Sequence, residues 1–122
     1  MKDRIVAKRE KAHRRARRVR ARMHGTAQCP RLTIKRSLKH ISAQLINDVL
    51  GHTLAHATDL EVTKATEGGR VATAALVGTL LGEKAKKVGI SMAVVDRGAY
   101  RYHGCVQALV EAAATAGLSY SK

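Results

Sequence analysis

The chain has 122 residues, enough for one domain with a modest core, and a formal net charge of +14. A body this small repels itself at that charge, so we expect a polyanionic partner, most simply a nucleic acid. The sequence lacks the roughly 20 consecutive apolar residues of a membrane span, and it lacks the Trp and Phe typical of membrane-surface helices. Cys29 and Cys105 are single and far apart, which indicates free thiols in a reducing compartment rather than a zinc site.

The N-terminal segment concentrates the positive charge. Residues 1–22 contain 11 of the 23 Lys and Arg residues, and their apolar stripe is thin. We expect residues 1–29 to form a basic arm that is disordered alone and helical on RNA, because phosphates would remove the repulsion between guanidiniums. The alternatives are a solvated tail that serves only solubility and an organellar transit peptide, although residues 1–30 lack the serine usual in transit peptides.

The body is predicted to be a single α/β domain over residues 30–122. Its first three segments alternate apolar and polar residues, which predicts a three-stranded antiparallel meander over 31–36, 41–47 and 52–58. The remaining predicted elements are a helix over about 70–88 closed by Gly89, a buried strand over 91–95, a helix up to about 116 closed by Gly117, and an edge strand over 118–121.

The order βββαβαβ predicts which face of the sheet is covered. Parallel crossovers are right-handed, so both helices are expected on one face of a mixed sheet. Strand alternation assigns Leu32, Ile34, Ile41, Ala43, Leu45 and Leu54 to the covered face. It assigns Arg31, Thr33, Lys35, Ser42, Gln44 and Thr53 to the open face. That open face is either an ordinary solvated surface or a platform for an RNA backbone, and the net charge favours the platform.

Three stretches carry a family resemblance. In order after the Arg-rich arm they are CPRLTIKRSLKHISAQLIND, GHTLAHATDLE and VVDRGAYRYHG, and they resemble the bacterial form of ribosomal protein L-eighteen over essentially the whole chain. The resemblance implies a ribonuclease-H-like sheet. It implies a structural constituent of the large ribosomal subunit, not an enzyme, that binds 5S rRNA and helps attach it to the large-subunit rRNA in the central protuberance. Neighbouring 5S-binding ribosomal proteins are the implied further partners.

The resemblance also sets the expected setting. We expect a cytoplasmic ribosome rather than an organellar one, with no membrane, cofactor, metal or small-molecule substrate. Five positions depart from the family pattern: Lys35 replaces an aromatic residue, Leu38 an Asn, Ser42 a Tyr, Ala99 a Gly and Cys105 a basic residue. Because rings for base stacking are lost, we expect this member to depend more on phosphate contacts.

The predicted RNA contacts fall into groups. Arginine suits RNA because its guanidinium can bridge two phosphate oxygens or stack on a base. The predicted arm contacts are Arg9, His13, Arg14, Arg15, Arg17, Arg18, Arg20 and Arg22. The open-face residues Arg31, Thr33, Lys35, Ser42, Gln44 and Thr53 form the second group. The strand-connecting turn adds Arg36, Ser37, Lys39 and His40, whose alternative interpretation is a plain surface hairpin.

The loop from Asp96 to Gly104 forms the last group. Its tyrosines and arginines place stacking faces beside positive charge, and the predicted contacts are Arg97, Tyr100, Arg101, Tyr102 and His103. We expect a division in which Asp96 and one tyrosine are structural, whereas Arg97, Arg101 and His103 face RNA.

Other chemistries have weaker support. His52 and His56 would share a strand face with Leu54, but without a third ligand nearby, packed or hydrogen-bonded histidines are favoured over zinc. The segment 67–70 lacks the ending of a phosphate loop and is interpreted as a flexible connection. A metal-dependent nuclease would need converging carboxylates, and only Asp96 ends a central strand. A general cationic RNA chaperone would not need an ordered sheet.

Overall fold

The computed structural model describes residues 4–21, 23–62, 69–98 and 100–121. Its elements are α1 (Arg4–Arg20), β1 (Arg31–Arg36), β2 (Ile41–Asn47), β3 (His52–Thr58), a 3-10 turn (Asp59–Glu61), α2 (Gly69–Lys87), β4 (Met92–Asp96), α3 (Cys105–Thr115) and β5 (Ser119–Ser121). The predicted body elements are confirmed to within one residue at nearly every boundary, and the 3-10 turn was not predicted. Arg22, Ala99 and residues 63–68, which include the first two residues of the predicted connection, lie outside the described residues.

The sheet has five strands in the order β3-β2-β1-β4-β5. β2 pairs antiparallel with both β1 and β3, because two short turns join these three strands. β4 pairs in parallel with both β1 and β5, and α3 is the crossover helix that joins β4 to β5. The predicted mixed α/β sheet is therefore confirmed, whereas its likeness to ribonuclease H stays a prediction.

One hydrophobic core lies between the sheet and the pair α2 and α3. Strand β2 shows the expected alternation, since Ile41, Ala43 and Leu45 are buried while the residues between them are only half-buried. The two helices approach so closely that a Cβ on Gly78 would lie 2.1 Å from the backbone oxygen of Leu109. The two predicted helices thus cover one face as a tightly packed pair.

Strand β3 departs from simple alternation because it contains a bulge. Leu45 pairs with Ala55, but the next residue, Ile46, pairs with Thr53, so Leu54 is the extra residue. Leu54 is partly buried and packs against the core. After the bulge, the residues that face inward are Ala55 and Ala57, and both are buried. Register alone, rather than composition, decides which β3 residues face inward.

The bulge also overturns the predicted shared face of the two strand histidines. His52 pairs with Asn47, whereas His56 pairs with Gln44, and these two β2 residues point to opposite faces of the sheet. Both histidines are exposed. Neither is packed in the core, although His56 Nδ1 lies 3.8 Å from Glu61 Oε1, and the two are not placed to share a metal ion.

Helix α1 lies on the side of the sheet opposite to α2 and α3. Its residues line a cleft together with Thr33 and Lys35 of the open face, and no residue of α1 is buried. A solvent-accessible cleft therefore separates α1 from the open face of the sheet. Whether RNA orders this arm, and whether the arm and body divide at residue 29, stay predictions.

Candidate nucleic-acid interface

Helix α1 presents an almost continuous cationic surface. All nine of its Lys and Arg residues are exposed, and three of them, Arg17, Arg18 and Arg20, occupy its last turn. Cations there are favourable because the carbonyl end of a helix carries partial negative charge. Of the predicted thin apolar stripe, Ala12, Ala16 and Val19 are half-buried, whereas Ile5 is exposed. Helix α1 thus turns its small residues inward and leaves its guanidiniums in solvent.

Between α1 and the open sheet face lies a cleft of about 620 Å³, here called the arm cleft. Eight of the predicted contacts line it: Arg9, His13, Arg17, Arg20, Arg31, Thr33, Lys35 and Tyr100. The helix supplies cations to one wall, and the strands supply hydroxyl and ammonium groups to the other. Residues of the arm and of the open face, far apart in sequence, therefore meet at one site.

The open face continues from the arm cleft as a polar ladder across the strands. Lys35 pairs with Ser42, and Thr33 pairs with Gln44, so each pair shares the open face. Gln44 Oε1 accepts a hydrogen bond from Thr53 Oγ1 at 3.3 Å, which extends the ladder to β3. The predicted open-face polar set is confirmed in its placement, and Ser42, Gln44 and Thr53 lie beside the cleft rather than in it.

Arg31 is the exception among the open-face residues. Its residue exposure is only 7%, and its guanidinium donates to two carboxylates. Nε and Nη2 lie 3.0 and 3.1 Å from the two oxygens of Asp48, and Nη1 lies 2.8 Å from Asp96 Oδ2. Although Arg31 borders the cleft, each of its three side-chain nitrogens donates to one of these carboxylates, so we assign it a structural role in the floor of the cleft.

The Arg31 network changes the ionisation of its members. Hydrogen bonding from Arg31, aided by the Gly25 amide, outweighs burial and lowers the pKa of Asp48 to about 2. The same hydrogen bond raises the pKa of Arg31 despite its burial. Both groups are therefore charged throughout the physiological range, and the ion pair is permanent.

The network also fixes the point where the arm joins the body. Gly25 donates its amide to Asp48 Oδ2 at 2.8 Å, and the Asp48 amide donates back to the Gly25 carbonyl at 2.9 Å. A Cβ on Gly25 would lie 2.4 Å from the Ile46 carbonyl oxygen, so only glycine fits. Arg20, at the end of α1, adds a longer ion pair to Asp48 at 3.8 Å. Asp48 thus anchors the root of the arm beside the sheet.

The β1–β2 turn forms an exposed cationic rim. Ser37 and His40 close it, since the Ser37 amide donates to the His40 carbonyl at 2.8 Å and the His40 amide donates to Ser37 Oγ at 3.0 Å. His40 Nδ1 lies 3.0 Å from Oδ2 of buried Asp59. The remaining predicted rim contacts, Arg36 and Lys39, are exposed. The turn is thus a rigid support from which cations project.

The loop after β4 divides much as expected, with one difference. Asp96 is structural, since it is buried and accepts the Gly98 amide at 2.9 Å as well as Arg31. Both tyrosines, rather than one, have partners in the fold. Tyr100 Oη accepts from the Arg36 amide at 3.0 Å and donates to the Arg36 carbonyl at 2.8 Å. Tyr102 Oη lies 3.2 Å from Tyr120 Oη.

The three basic residues of this loop differ in their exposure to solvent. Arg97 is half-buried and donates to the carbonyl of Tyr100, whereas Arg101 and His103 are exposed. Burial, followed by the hydrogen bond with Tyr120, raises the pKa of the Tyr102 hydroxyl, so this ring stays neutral. The loop therefore offers Arg101 and His103 to a partner, while its tyrosines hold it in shape.

Some predicted contacts lie outside the arm cleft. Arg14, Arg15 and Arg18 are exposed on the remaining surface of α1, and Arg22 lies outside the described residues. Sequence reasoning missed two residues that matter here. Asp48, which follows β2, carried no functional prediction. Arg70 was placed where a predicted connection meets a predicted helix; it is the second residue of α2, and its guanidinium donates to the carbonyl of Ser37. The only advance signal was that each is charged and flanks a predicted element.

The described part of the chain has neither a candidate metal site nor a candidate membrane-spanning helix. It contains no group of three or more His, Cys, Asp or Glu residues that could hold a metal ion. None of its helices combines the length and apolar character needed to cross a bilayer.

Comparison with known proteins gives a consistent picture. The model of the family described as "Ribosomal L18 of archaea, bacteria, mitoch. and chloroplast" matches residues 6–120. The chain is 45% identical over 117 residues to "Large ribosomal subunit protein uL18" of Solibacter usitatus (strain Ellin6076), covering 96% of this chain and 98% of that protein. The protein of the same name from Synechococcus sp. is 47% identical over 118 residues, covering 94% and 98%. That from Thermoanaerobacter sp. (strain X514) is 48% identical over 105 residues, covering 84% and 87%.

Proposed function

This chain belongs to the ribosomal L18 family of archaea, bacteria, mitochondria and chloroplasts, and from that premise we propose that it binds 5S rRNA in the large ribosomal subunit. It is a structural ribosomal protein, not an enzyme. In the proposed role it helps attach 5S rRNA to the large-subunit rRNA in the central protuberance, beside other 5S-binding proteins. Because the relatives named above are bacterial proteins, the cytoplasmic ribosome is the proposed location.

The observation that carries the proposal is the arm cleft. Its helical wall carries Arg9 and Arg17, and its sheet wall carries Lys35 and Thr33. Guanidiniums bind phosphate oxygens through paired hydrogen bonds, and hydroxyl groups suit the 2′-OH groups exposed in the minor groove of double-stranded RNA. Two walls of complementary chemistry favour a structured RNA over a flexible polyanion, because such an RNA can contact both at once.

The rigid root of the arm supports the same proposal. A free cationic tail would bind any polyanion with little preference. Here Asp48 and Gly25 tie the end of α1 to the sheet, so the cations of α1 keep a defined separation from those of the open face. We expect this fixed separation to favour a folded RNA whose phosphates lie at the same spacing as the two sets of cations.

Nuclease chemistry is the enzyme alternative that this architecture would raise. It requires carboxylates free to bind two divalent ions. Asp96 is the acidic residue at the end of a central strand, and both of its oxygens accept hydrogen bonds, one from Arg31 and one from the Gly98 amide. The geometry therefore favours binding without hydrolysis.

Competition binding with the full-length protein tests the proposal. Labelled 5S rRNA is displaced by unlabelled 5S rRNA, by tRNA or by an unrelated duplex, across a series of salt concentrations. We expect 5S rRNA to compete best. We also expect the affinity to fall by about 10³-fold or more between 50 and 200 mM salt, as for six or more neutralised phosphates. Equal competition by every RNA, or a flat salt response, would refute the proposal.

A further inference from the structure

A second cationic site lies beside the β1–β2 turn, on the side of the sheet that the helices cover. It is a pocket of about 240 Å³, here called the rim pocket, and its walls include Ile41, Thr73 of α2 and Cys105 of α3. This volume holds several water molecules or one phosphate group, but not a folded element. The rim pocket is thus sized for a single small anion or for one group of a larger ligand.

The charges around the rim pocket favour an anion. Arg36, Lys39 and Arg70 all line it and all are exposed. Asp59 is the one carboxylate among the described lining residues, and it is 4% exposed with His40 Nδ1 3.0 Å from its Oδ2. Because His40 already contacts that carboxylate, the three cations remain available to a ligand.

The fold holds the guanidinium of Arg70 and the backbone of Arg36 in place. Arg70 donates to the Ser37 carbonyl, which joins the start of α2 to the β1–β2 turn. The Tyr100 hydroxyl fixes the backbone of Arg36 through two hydrogen bonds of 3.0 and 2.8 Å. Arg70 is also the second residue of α2, where backbone amides lack helical acceptors and favour a nearby anion. The cations therefore converge on a preorganised site rather than on a mobile tail.

The rim pocket is continuous with the arm cleft. A groove lined by Arg9, Leu38 and Tyr100 also includes Arg36 and Arg70, so it connects the α1 side of the sheet with the pocket. Arg9 and Tyr100 in turn line the arm cleft. A cationic path thus leads from the open face over the turn to the helix-covered side.

We infer that the rim pocket binds one backbone phosphate of the RNA at the point where the RNA passes over the β1–β2 turn. The inference rests on the proposed function and adds Arg70 to the RNA-binding residues. RNA is favoured over an acidic protein segment because the path that feeds the pocket is the one that begins at the arm cleft. The footprint on RNA then includes the start of α2, outside the open sheet face.

The test compares Arg70→Gln with Lys87→Gln in the full-length protein. Both substitutions remove one exposed cation from the same helix, but Lys87 lies at its far end. We expect Arg70→Gln to reduce the magnitude of the salt slope of 5S rRNA binding by about 0.7 to 0.9, the value for one phosphate. Lys87→Gln is expected to leave it unchanged. Equal slopes for Arg70→Gln and the unmodified protein would overturn the inference.

Two further variants guard against a purely structural effect, because Arg70 also supports the turn. Lys39→Gln removes a pocket cation that makes no hydrogen bond or ion pair within the described part of the chain, and it should lower the slope similarly. Arg70→Lys retains the charge and should restore the slope. A slope that stays low in Arg70→Lys and is normal in Lys39→Gln would contradict phosphate binding in the pocket.

The outcomes separate this inference from the proposed function. If the unmodified protein prefers 5S rRNA with a steep slope but all pocket variants match it, only the rim pocket assignment fails. If the unmodified protein shows no preference, the proposed function itself fails. Inorganic phosphate is the probe for a free anion, and its binding with no change in any RNA slope would also overturn the inference.

Discussion

Arg31 and Asp48 form a double hydrogen bond, with Arg31 Nε 3.0 Å from Asp48 Oδ2 and Nη2 3.1 Å from Oδ1. The same carboxylate accepts the amide of Gly25, at the root of the arm. A single carboxylate therefore stabilises a buried guanidinium and sets the position of α1. Its ionisation couples the stability of the body to the geometry of the arm cleft.

Replacing Asp48 by Asn tests that coupling through stability. The amide preserves the shape but leaves Arg31 with Asp96 as its only acid, so we expect the free energy of unfolding at pH 7 to fall by about 2 to 4 kcal/mol. The folded pKa of about 2 lies below the ordinary 3.8, so this stabilisation is full above pH 4 and is lost as the pH falls towards 2. Urea unfolding at several pH values measures the difference.

Glu111→Gln is the matched control for Asp48→Asn. It removes one negative charge from an exposed position on α3, and its effect should stay within about 0.5 kcal/mol. The difference between the unmodified protein and Asp48→Asn should shrink in acid, while the control stays flat. A gap that persists unchanged from pH 7 to pH 2.5 would show that charge is not its cause.

Gly78→Ala tests the close packing of α2 against α3. Alanine is the better helix former by about 1 kcal/mol, so propensity alone predicts stabilisation. The added Cβ would instead lie 2.1 Å from the Leu109 carbonyl oxygen, which is backbone and cannot rotate away. We expect a net loss of about 1 to 3 kcal/mol in unfolding free energy. Thr79→Ala, at the next and exposed position, should show no such loss, and equal behaviour of the two variants would contradict the packing.

Alternation predicts faces correctly only where the register is regular. In β1 and β2 the apolar residues at every second position face the core, because these two strands pair in a regular register. In β3 the bulge at Leu54 shifts the register with β2, so Ala55 faces inward and His56 outward. The predicted shared face of the two histidines was wrong for this reason, since a bulge depends on pairing with another strand and leaves little mark in the sequence.

Contacts between distant residues limited the prediction of the site. Arg31 was placed on the open face, but its acceptors Asp48 and Asp96 lie 17 and 65 positions away, and only the folded sheet brings them together. Arg70 was missed similarly, because its neighbour Ser37 is 33 positions distant. Composition was sufficient to predict a cationic RNA-binding surface. Which cations are free to contact a ligand depends on these tertiary ion pairs and hydrogen bonds.

Tyr100→Phe tests whether this tyrosine supports the loop after β4. Removing the hydroxyl deletes its hydrogen bonds with the amide and carbonyl of Arg36, at 3.0 and 2.8 Å, and we expect a loss of about 1 kcal/mol. Amide exchange of Arg36 should accelerate, whereas that of Ser37, bonded to the His40 carbonyl, should not. Tyr102→Phe, which removes the hydroxyl in contact with Tyr120 rather than one bonded to Arg36, is the control. Unchanged exchange at Arg36 in Tyr100→Phe would disprove the support.

Lys35→Gln tests whether the open sheet face belongs to the RNA interface. Lys35 is exposed and lines the arm cleft, whereas the control residue, Lys86, is exposed on α2, on the opposite side of the sheet. Each substitution removes one positive charge, so a general effect of net charge on RNA binding would be the same in both. A phosphate contact at Lys35 predicts a salt slope lower by about 0.7 to 0.9 for Lys35→Gln alone, measured by 5S rRNA titration at several salt concentrations. Identical slopes in the two variants would leave α1 as the sole cationic wall, and the open face would then be only a support for the core.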